Sequence, residues 1–393
     1  MRSAYIGKIQ LSDVDLSYLH EAQKISDITV FMEVTPRFTK GPAFNIKQVY
    51  PHSGIFKAAH IYPELSKFDG FLDLDKFYIV NTSGKLWLIK SLWTNILLLI
   101  SLIKGHFDYV HLTWPPSLYE IPIYFIKRKL ILTVHDPFPH SGLNTLIVRL
   151  RREIAFRLIP KFILLNHTQL ESFEQYYNIS SKRILDSRLS IYNYLRTVKA
   201  STNLRPNSQY ILFFGKISRY KGIDILFQAM KRVNKECPEC KLIVAGSGIF
   251  PFNIDEYRKL HYIEIRNRFI PEEELVELIK NAAFVVCPYT DATQSGVIMS
   301  AFAFNIPVIA TNVGALPEMV IQDKTGYIVK PKDPTSLSEA IINLWKNSGL
   351  RNTFSKNIEL FYREGDHSWK QIAEDVISFA KNKITICSFH SLL

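Results

Sequence analysis

Two lysines and two glycines in the second half of the chain have the spacing of a phosphate-binding loop. The run 210–226 reads YILFFGKISRYKGIDIL: an apolar strand ends at Gly215, Lys216 and Lys221 stand in the loop, and Gly222 opens a helix. Glycine allows close backbone approach, a helix start offers free N–H groups, and lysines add positive charge. The pattern predicts a phosphate site that needs no metal, although a solvated basic turn has the same composition. The spacing matches neither a P-loop nor GxGxxG.

A second loop of this kind lies further along the chain. The run 287–320 reads CPYTDATQSGVIMSAFAFNIPVIATNVGALPEMV, with a strand before Pro288 and a helix after Ser295. The backbone N–H groups of Ser295, Gly296 and Val297 would point at a ligand from the helix start, where the helix dipole favours anions. A strand–turn–helix connection without a ligand is the alternative. A second such loop in one domain weakens that alternative.

Short apolar runs rich in branched residues would place these loops at the ends of β-strands. Such runs are what a parallel sheet covered on both faces requires, and amphipathic helices separate them. We therefore predict a doubly wound α/β fold, whose ligands bind beyond the carboxyl ends of the strands. The predicted strands are 28–34, 109–112, 130–134 and 162–165 in the first half, and 210–214, 241–245, 284–287 and 308–311 in the second.

The chain divides into two such units near residue 200. The polar stretch ASTNLRPN at 200–207 contains a proline and suits a linker. We predict Rossmann-like domains over 1–200 and 201–365 that face each other across a cleft, where a ligand would bind. Residues 366–393 are predicted to form a C-terminal helix, anchored by Trp369, and a tail.

Two helices of the first domain have pronounced patterns. The apolar run SLWTNILLLISLI at 91–103 is too short to cross a bilayer, so we predict a buried helix, with a membrane-contacting helix as the alternative. A second helix has an apolar stripe, with Arg149 and Arg152 on its other face. The stripe is expected to face the core and comprises Leu143, Leu146, Ile147, Leu150 and Ile154.

The charge of the chain is concentrated in its first half. The 393 residues are 47% apolar and 21% charged, which is typical of a globular protein, and the net charge is +12. Residues 1–200 contain 25 basic and 16 acidic side chains, and therefore contribute +9. This excess indicates an anionic partner: a phosphorylated substrate, a membrane surface or nucleic acid. Four scattered cysteines and the absence of an opening signal segment favour a reducing, cytoplasmic setting.

Together these motifs resemble the donor-binding domain of family 4 glycosyltransferases of the GT-B fold, of the bacterial surface-polysaccharide type. Further matching runs are KLIVAGSG (241–248), RNRFIPEEELVELIKNAAFVVCPY (266–289) and KTGYIVKPKDP (324–334). The resemblance implies a nucleotide-sugar donor, UDP- or GDP-linked, whose sugar is transferred with retention at the anomeric carbon. It also implies a C-terminal helix that crosses back to the first domain, and it requires no cofactor and no metal.

The resemblance assigns roles on the donor side. Lys216, where the family usually has arginine, and Lys221 would hold the diphosphate and stabilise the leaving group as catalytic residues. The other donor-binding positions that it implies are Gly215, Phe269, Ile270, Gln294, Ser295, Gly296, Val297 and Ser300. Among them, Phe269 and Ile270 would border the base.

One departure from the family pattern concerns two glutamates seven residues apart. Ala292 and Ser300 stand at their places, in the segment ATQSGVIMS. The second glutamate commonly contacts the ribose, so Ser300 would make a weaker contact, and Gln294 or Thr293 would replace contacts to the donor sugar. The identity of the donor is therefore less predictable.

The first half resembles the family more loosely. In LTVHDPFPHSG (132–142), His135 is the third catalytic candidate because a histidine here commonly approaches the donor sugar; a hydrogen-bonded strand-end histidine is the alternative. Asp136, His140 and Asp13 are acceptor-side candidates, and helix capping competes for Asp13.

The sequence thus predicts a retaining glycosyltransferase of polysaccharide or lipopolysaccharide biosynthesis. Its acceptor would be a saccharide or a lipid-linked molecule, and the protein would be peripheral at the inner face of the membrane. Arg149, Arg152 and the basic run 127–129 would meet an anionic surface, and no nucleic acid is expected. The alternatives are a nucleotide-sugar epimerase and a non-catalytic membrane-binding scaffold.

Overall fold

The chain folds into two compact units. The computed structural model describes residues 1–84, 86–138, 145–200 and 209–382, so His140 and residues 201–207 lie outside the described residues. The first unit comprises Met1–Arg188 and the chain from Trp369 onwards, and the second comprises Leu189–Ser368. Hydrogen bonds explain why the change of unit precedes residue 200: Ser190 Oγ donates to the carbonyl of His367, and Tyr192 N donates to that of Met299.

The first unit is built on an eight-stranded sheet with the order β3-β4-β2-β1-β5-β6-β7-β8. All neighbouring strands are parallel except β3 and β4. Its elements are β1 (Arg2–Lys8), α1 (Ser12–Ile25), β2 (Asp27–Val34), β3 (Gly54–Lys57), α2 (Ala58–Ile61), β4 (Phe77–Asn81), α3 (Trp87–Lys104), β5 (Tyr109–Leu112), β6 (Leu130–Val134), α4 (Leu146–Leu158), β7 (Lys161–Leu164), α5 (Leu170–Tyr177) and β8 (Ile184–Asp186). A 3₁₀ segment, Leu118–Lys129, joins β5 to β6.

The second unit has a six-stranded, fully parallel sheet with the order β11-β10-β9-β12-β13-β14. Its elements are β9 (Tyr210–Phe214), α6 (Ile223–Glu236), β10 (Leu242–Gly246), α7 (Asp255–Arg258), β11 (Ile263–Asn267), α8 (Glu272–Asn281), β12 (Ala282–Cys287), α9 (Gly296–Phe302), β13 (Val308–Thr311), α10 (Leu316–Met319), β14 (Gly326–Val329), α11 (Pro334–Lys346) and α12 (Ser348–Glu359). The central strands are buried along their whole length, as a sheet covered by helices requires. The predicted doubly wound α/β class is confirmed for both units.

The last helix, α13 (Trp369–Lys381), belongs to the first unit and packs against α1. The indole of Trp369 contacts the Tyr18 ring edge-on at a centroid distance of 5.9 Å. Lys161 Nζ donates to the carbonyls of Phe379, Ala380 and Asn382 at 2.6–2.8 Å. A cation at a helix C-terminus satisfies free carbonyls and complements the helix dipole, so Lys161 fixes the end of α13 on the first sheet.

Two helices of the first unit differ from the prediction, α4 in the face that it turns inward and α3 in its burial. On α4, Leu146, Ile147 and Leu150 are exposed, whereas Arg152 is buried and its Nη1 donates to the carbonyls of Asp136 and Pro137. Arg152 therefore holds the loop after β6 and does not face a membrane, which corrects the sequence prediction. The prediction of a buried α3 is also wrong for most of its apolar side chains, which are exposed or half-buried.

Candidate functional site

The loop after β9 is held by glycines at the carboxyl edge of the second sheet. Gly215 has a φ of +113°, which favours glycine, and its N–H donates to Ala245. A Cβ on Gly246, at the end of the neighbouring strand, would lie 1.9 Å from the Gly215 carbonyl oxygen. The two strand ends can approach this closely only because neither carries a side chain.

The two loops singled out in the sequence meet in the structure. A Cβ on Gly222 would lie 2.0 Å from the carbonyl oxygen of Pro288, and Thr290 N donates to Tyr220 O at 2.8 Å. A Cβ on Gly215 would lie 3.3 Å from Val297 Cγ2. The second unit therefore brings the lysine loop and the loop before α9 into direct contact.

Lys221 is a buried cation in this region. Its Nζ lies 3.6 Å from the ring centroid of Tyr289 and 5.1 Å from that of Tyr220, so aromatic faces provide its main stabilisation. Burial lowers the pKa of Lys221 to about 8, and the nearby Cys287 opposes this shift. Among the described residues, no carboxylate forms an ion pair with Lys221. Burial of a charge without a counter-charge is costly, so this position favours a bound anion.

The other predicted donor-side residues differ in exposure. Lys216 and Phe269 are exposed, and Phe269 follows the carboxyl end of β11 together with the partly buried Ile270. Gln294 is partly buried in the loop before α9. Exposed side chains at strand ends remain available to a ligand.

The start of α9 differs in part from the prediction. Of the three N–H groups expected to face an anion, that of Ser295 donates to Met319 Sδ at 3.4 Å. Tyr192 packs against Gly296, where a Cβ would lie 2.9 Å from the Tyr192 ring. The Ser300 hydroxyl donates to the Gly296 carbonyl at 2.8 Å, a bond within the helix that competes with the predicted ribose contact.

The first unit places His135 and Asp136 directly after β6. His135 Nε2 is buried and has no hydrogen-bond partner, and burial lowers the pKa of His135 to about 4. The imidazole is therefore neutral at pH 7. Asp13 lies in the first turn of α1, where its Oδ1 accepts from Val14 N at 2.9 Å. The N-cap of α1 is Leu11, and no side chain caps the helix there, so the capping alternative for Asp13 is not realised.

A pocket that the sequence did not reveal lies at the carboxyl ends of β1 and β5. Its volume is about 270 Å³, and its polar lining includes Lys8 and Arg151. The other lining residues are Gln10, Leu11, Phe38, Trp114, Ser117 and Tyr119. Aromatic side chains such as Phe38, Trp114 and Tyr119 stack on sugar rings, and the Arg151 guanidinium favours an anionic group.

Two buried carboxylates hold Lys8 beneath this pocket. Lys8 Nζ lies 2.9 Å from Glu33 Oε2 and 3.0 Å from Glu120 Oε2. Burial raises the pKa of Glu33 to about 7, although Lys8 opposes this shift. The carboxylate in the otherwise apolar strand ITVFMEV was the one signal in the sequence that could have indicated this cluster.

No metal centre is evident in the parts of the chain that the structure describes. Among those residues, no group of three or more histidine, cysteine, aspartate or glutamate side chains could hold a metal ion. Cys237 and Cys240 of the CPEC run are free and buried, and burial raises the pKa of Cys240.

The second unit matches a known family. Residues 196–361 match the family model described as glycosyl transferases group 1. An uncharacterised glycosyltransferase of Methanocaldococcus jannaschii is 27% identical over 188 residues, which are 47% of this chain and 47% of that protein. The chain thus spans about half the length of this curated relative.

Solved structures extend the similarity to the whole fold. Anabaena HepE in complex with UDP-glucose has a TM-score of 0.63 and 14% identity, and the match covers 95% of this chain and 99% of HepE. The lipopolysaccharide outer core galactosyltransferase WaaB has a TM-score of 0.59 and 15% identity over 96% of this chain and 99% of WaaB. The fold is GT-B, with a region of the glycosyl transferases group 1 type in its second unit.

Proposed function

We propose that this protein is a retaining glycosyltransferase that moves a sugar from a nucleotide-sugar donor to a lipid-linked or saccharide acceptor. The observation that carries the proposal is the buried, unpaired Lys221 between the two glycine-containing loops of the second unit. A donor diphosphate supplies the missing negative charge at that position. The group 1 match over 196–361 and the UDP-glucose bound by HepE support this class of donor.

The proposed reaction needs electrostatic stabilisation of a departing phosphate. The bond between the anomeric carbon and the phosphate oxygen breaks, and the acceptor oxygen forms its bond on the same face of the sugar. The acceptor proton passes to the departing phosphate oxygen. Lys221 and Lys216 neutralise the charge that develops on the diphosphate, a role that metal ions have in other transferases.

The acceptor is proposed to bind the first unit. The pocket of about 270 Å³ combines Trp114, Tyr119 and Phe38 with Lys8 and Arg151. Aromatic walls suit a sugar ring, and the Arg151 guanidinium suits a phosphate or carboxylate attached to it, whereas Lys8 is already paired with Glu33 and Glu120. The similarity to WaaB is consistent with a role in polysaccharide or lipopolysaccharide biosynthesis.

Thermal unfolding with UDP and with GDP tests the donor site. A ligand that binds only the native state raises its apparent stability, so one of the two nucleotides should raise the Tm. Lys221→Ala should weaken that binding about tenfold to a hundredfold, because a charge-assisted contact is lost. Lys235→Ala, which removes an exposed lysine of α6 in the same unit, is the matched control and should bind normally. Full nucleotide affinity in Lys221→Ala would refute the phosphate assignment.

Incubation with a nucleotide sugar separates the proposed reaction from epimerisation. UDP-glucose and GDP-mannose are incubated with and without a saccharide acceptor, and the sugar products are analysed. A transferase forms a glycosidic product only with the acceptor. Conversion of the donor sugar without any acceptor would instead indicate an epimerase.

A further inference from the structure

Helix α3 turns its polar side chains inward and its apolar side chains outward. Ser91, Thr94 and Asn95 are buried, whereas Ile89 and Trp93 are 67% and 60% exposed. The helix is long and apolar enough to cross a membrane, yet only 28% of it is buried. An amphipathic helix normally packs its apolar stripe on the core, so this orientation requires an explanation.

The inward polar residues are satisfied, so the orientation of α3 is stable. Thr94 Oγ1 donates to Lys90 O at 2.7 Å, and Asn95 Nδ2 donates to Ser91 O at 3.0 Å. Ser91 Oγ donates to Thr82 Oγ1 at 3.3 Å. Towards the end of the helix, Leu98 and Leu102 join the core cluster of the first unit. The outward leucines and Trp93 are therefore a surface of the folded protein.

Two neighbouring elements continue this surface. The 3₁₀ segment Leu118–Lys129 packs against α3, with the Trp87 and Tyr119 rings edge-on at 6.2 Å, and it also contacts α4. It exposes 85% of Phe125, and α4 exposes 80% of Leu146. We call this surface the apolar face. Its members are Leu88, Ile89, Leu92, Trp93, Ile100, Ile103, Leu118, Ile121, Phe125, Leu146, Ile147 and Leu150.

The charges around the apolar face are almost all positive. Lys90 and Lys104 lie on α3, which has no acidic residue, and Lys127 and Arg128 end the 3₁₀ segment. The one acidic residue of that segment, Glu120, is buried and paired with Lys8. The α4 helix adds Arg149 and one exposed acid, Glu153. Two copies of such a basic rim would repel each other, whereas an anionic lipid surface attracts it.

We propose that the apolar face docks on an anionic bilayer, with α3 lying in the interface plane. A helix with an apolar outer side and flanking lysines has the composition of an interfacial helix. The helix does not span the bilayer, because Ser91, Thr94, Asn95 and Leu98 hold it on the protein core. Exposed apolar patches of this extent mark interaction surfaces in globular proteins.

Docking of this kind narrows the acceptor class, a step that rests on the proposed function. The pocket of about 270 Å³ is lined by Tyr119 of the 3₁₀ segment, Arg151 of α4 and Ser117. The elements that carry the apolar face therefore also line the proposed acceptor pocket. A head group attached to a membrane lipid would enter that pocket, so the acceptor is a lipid-linked saccharide or phosphate.

Vesicle flotation of the full chain without any nucleotide tests the docking. The vesicles contain phosphatidylglycerol with phosphatidylcholine, or phosphatidylcholine alone. The wild type should float with the anionic vesicles, and Ile89→Glu/Trp93→Glu should reduce the bound fraction at least about tenfold, because two large apolar side chains no longer enter the bilayer. Ile249→Glu/Leu360→Glu, which places the same two charges at exposed apolar residues of the second unit, is the matched control and should bind normally.

A second variant separates lipid charge from apolar insertion. Lys127→Glu/Arg128→Glu should weaken binding to the anionic vesicles and make the remaining binding less sensitive to salt. Sedimentation velocity without vesicles tests whether a second copy of the chain covers the apolar face. Absence of wild-type binding to anionic vesicles would overturn the proposal, as would a dimer that Ile89→Glu/Trp93→Glu dissociates.

Nucleotide binding keeps the two proposals distinguishable. The same variants are melted with UDP and GDP, whose proposed site lies in the second unit. Vesicle binding without any effect of the nucleotides on the Tm would support docking of the apolar face and refute the proposed glycosyltransferase function. An effect of a nucleotide on the Tm without vesicle binding would support the donor site and refute docking of the apolar face.

Discussion

Each unit holds a lysine at the carboxyl edge of its sheet, Lys8 half-buried and Lys221 buried, and the two differ in whether a carboxylate neutralises them. Lys8 ends β1 and lies within 3.0 Å of Glu33 and Glu120, which raise its pKa above the ordinary value against the effect of burial. Lys221 follows β9 and lies between tyrosine rings, and burial lowers its pKa to about 8.

The difference separates a structural cation from one that is available to a ligand. Lys8 already has its counter-charges, so it joins β1, β2 and the 3₁₀ segment of the first unit. Lys221 has no carboxylate partner among the described residues, so under the proposed function the donor diphosphate would neutralise it, and the rings of Tyr220 and Tyr289 lie against its ammonium group beforehand. Preorganised charge of this kind binds a developing phosphate anion with little reorganisation.

The largest expected difference is between the free energies of unfolding of the Lys8 and Lys221 variants. Lys8→Met leaves two buried carboxylates without a cation and should lower the free energy of unfolding by about 3–5 kcal/mol. Lys221→Met removes an unpaired buried charge and should leave the stability of the ligand-free protein unchanged or higher. Urea unfolding of both variants and the wild type measures this. Similar losses in both variants would remove the distinction between the two lysines.

The pH dependence of stability should show the state of Lys221 directly. Its pKa lies near 8 in the native state and near 10.5 in the unfolded state, so between these values the unfolded state binds more protons. Stability therefore rises with pH in this window, by up to about 3 kcal/mol. The difference in unfolding free energy between wild type and Lys221→Met, measured from pH 8 to 10, isolates the effect. A difference that stays constant would contradict the lowered pKa.

Glu33 should make a smaller contribution to the pH dependence of stability, of opposite sign to that of Lys221 and at lower pH. Its pKa is raised from 4.5 to about 7, so the native state binds more protons in that window and loses stability as the pH rises. Glu33→Gln should remove about 1–2 kcal/mol of this dependence, because a neutral amide does not titrate. Urea unfolding at pH 5 and pH 7 gives the comparison. Equal slopes in wild type and variant would place the titrating group elsewhere.

Substitution of His135 in the first unit should produce the smallest effect, and it should change the transfer rate without changing nucleotide binding in the second unit. With a pKa near 4, its imidazole is neutral at pH 7 and can contribute only a neutral hydrogen bond. His135→Ala should lower the transfer rate about tenfold, the value of one such bond, and leave the UDP effect on the Tm unchanged. The pH–rate profiles of wild type and variant between pH 6 and 8 should be parallel. A break near pH 6.5 that disappears in the variant would show that His135 titrates there.

Most inner strands of both sheets could be predicted, because a buried parallel strand is apolar along its whole length. β5, β6, β9 and β13 have the predicted bounds. The prediction missed the edge strands β3, β8, β11 and β14, which are short or carry polar positions. It also missed two inner strands of the first sheet, β4 and β1, and the β1 run RSAYIGK mixes small, polar and aromatic residues.

The orientation of helices was the main failure. The pattern of α4 correctly divides that helix into two faces, but periodicity does not show which face meets the sheet, and the apolar run of α3 does not show which side chains are buried. Small polar residues such as Thr94 and Asn95 can face inward when they bond to their own helix, and Arg152 can do so when carbonyls receive its protons. Such compensating bonds join residues that only the fold brings together.

The candidate site could be predicted where its residues lie together in one short segment of the sequence. The lysine loop could be read from glycines and lysines within 12 positions, whereas the tyrosine rings around Lys221 and the Lys8–Glu33–Glu120 cluster join distant segments. The arrangement of side chains from several strands depends on sheet order, which local sequence does not specify.

The return of α13 to the first unit has a consequence for the folding of the chain during its own synthesis on the ribosome. The ribosome releases residues 189–368 before Trp369, Ile372 and Val376 emerge, although these three side chains complete a core that begins with β1. The second unit can therefore close while the first still exposes the apolar surface around Tyr18. A chain that stalls near residue 365 would have a finished second unit and an incomplete first unit, which chaperones and proteases would be able to recognise.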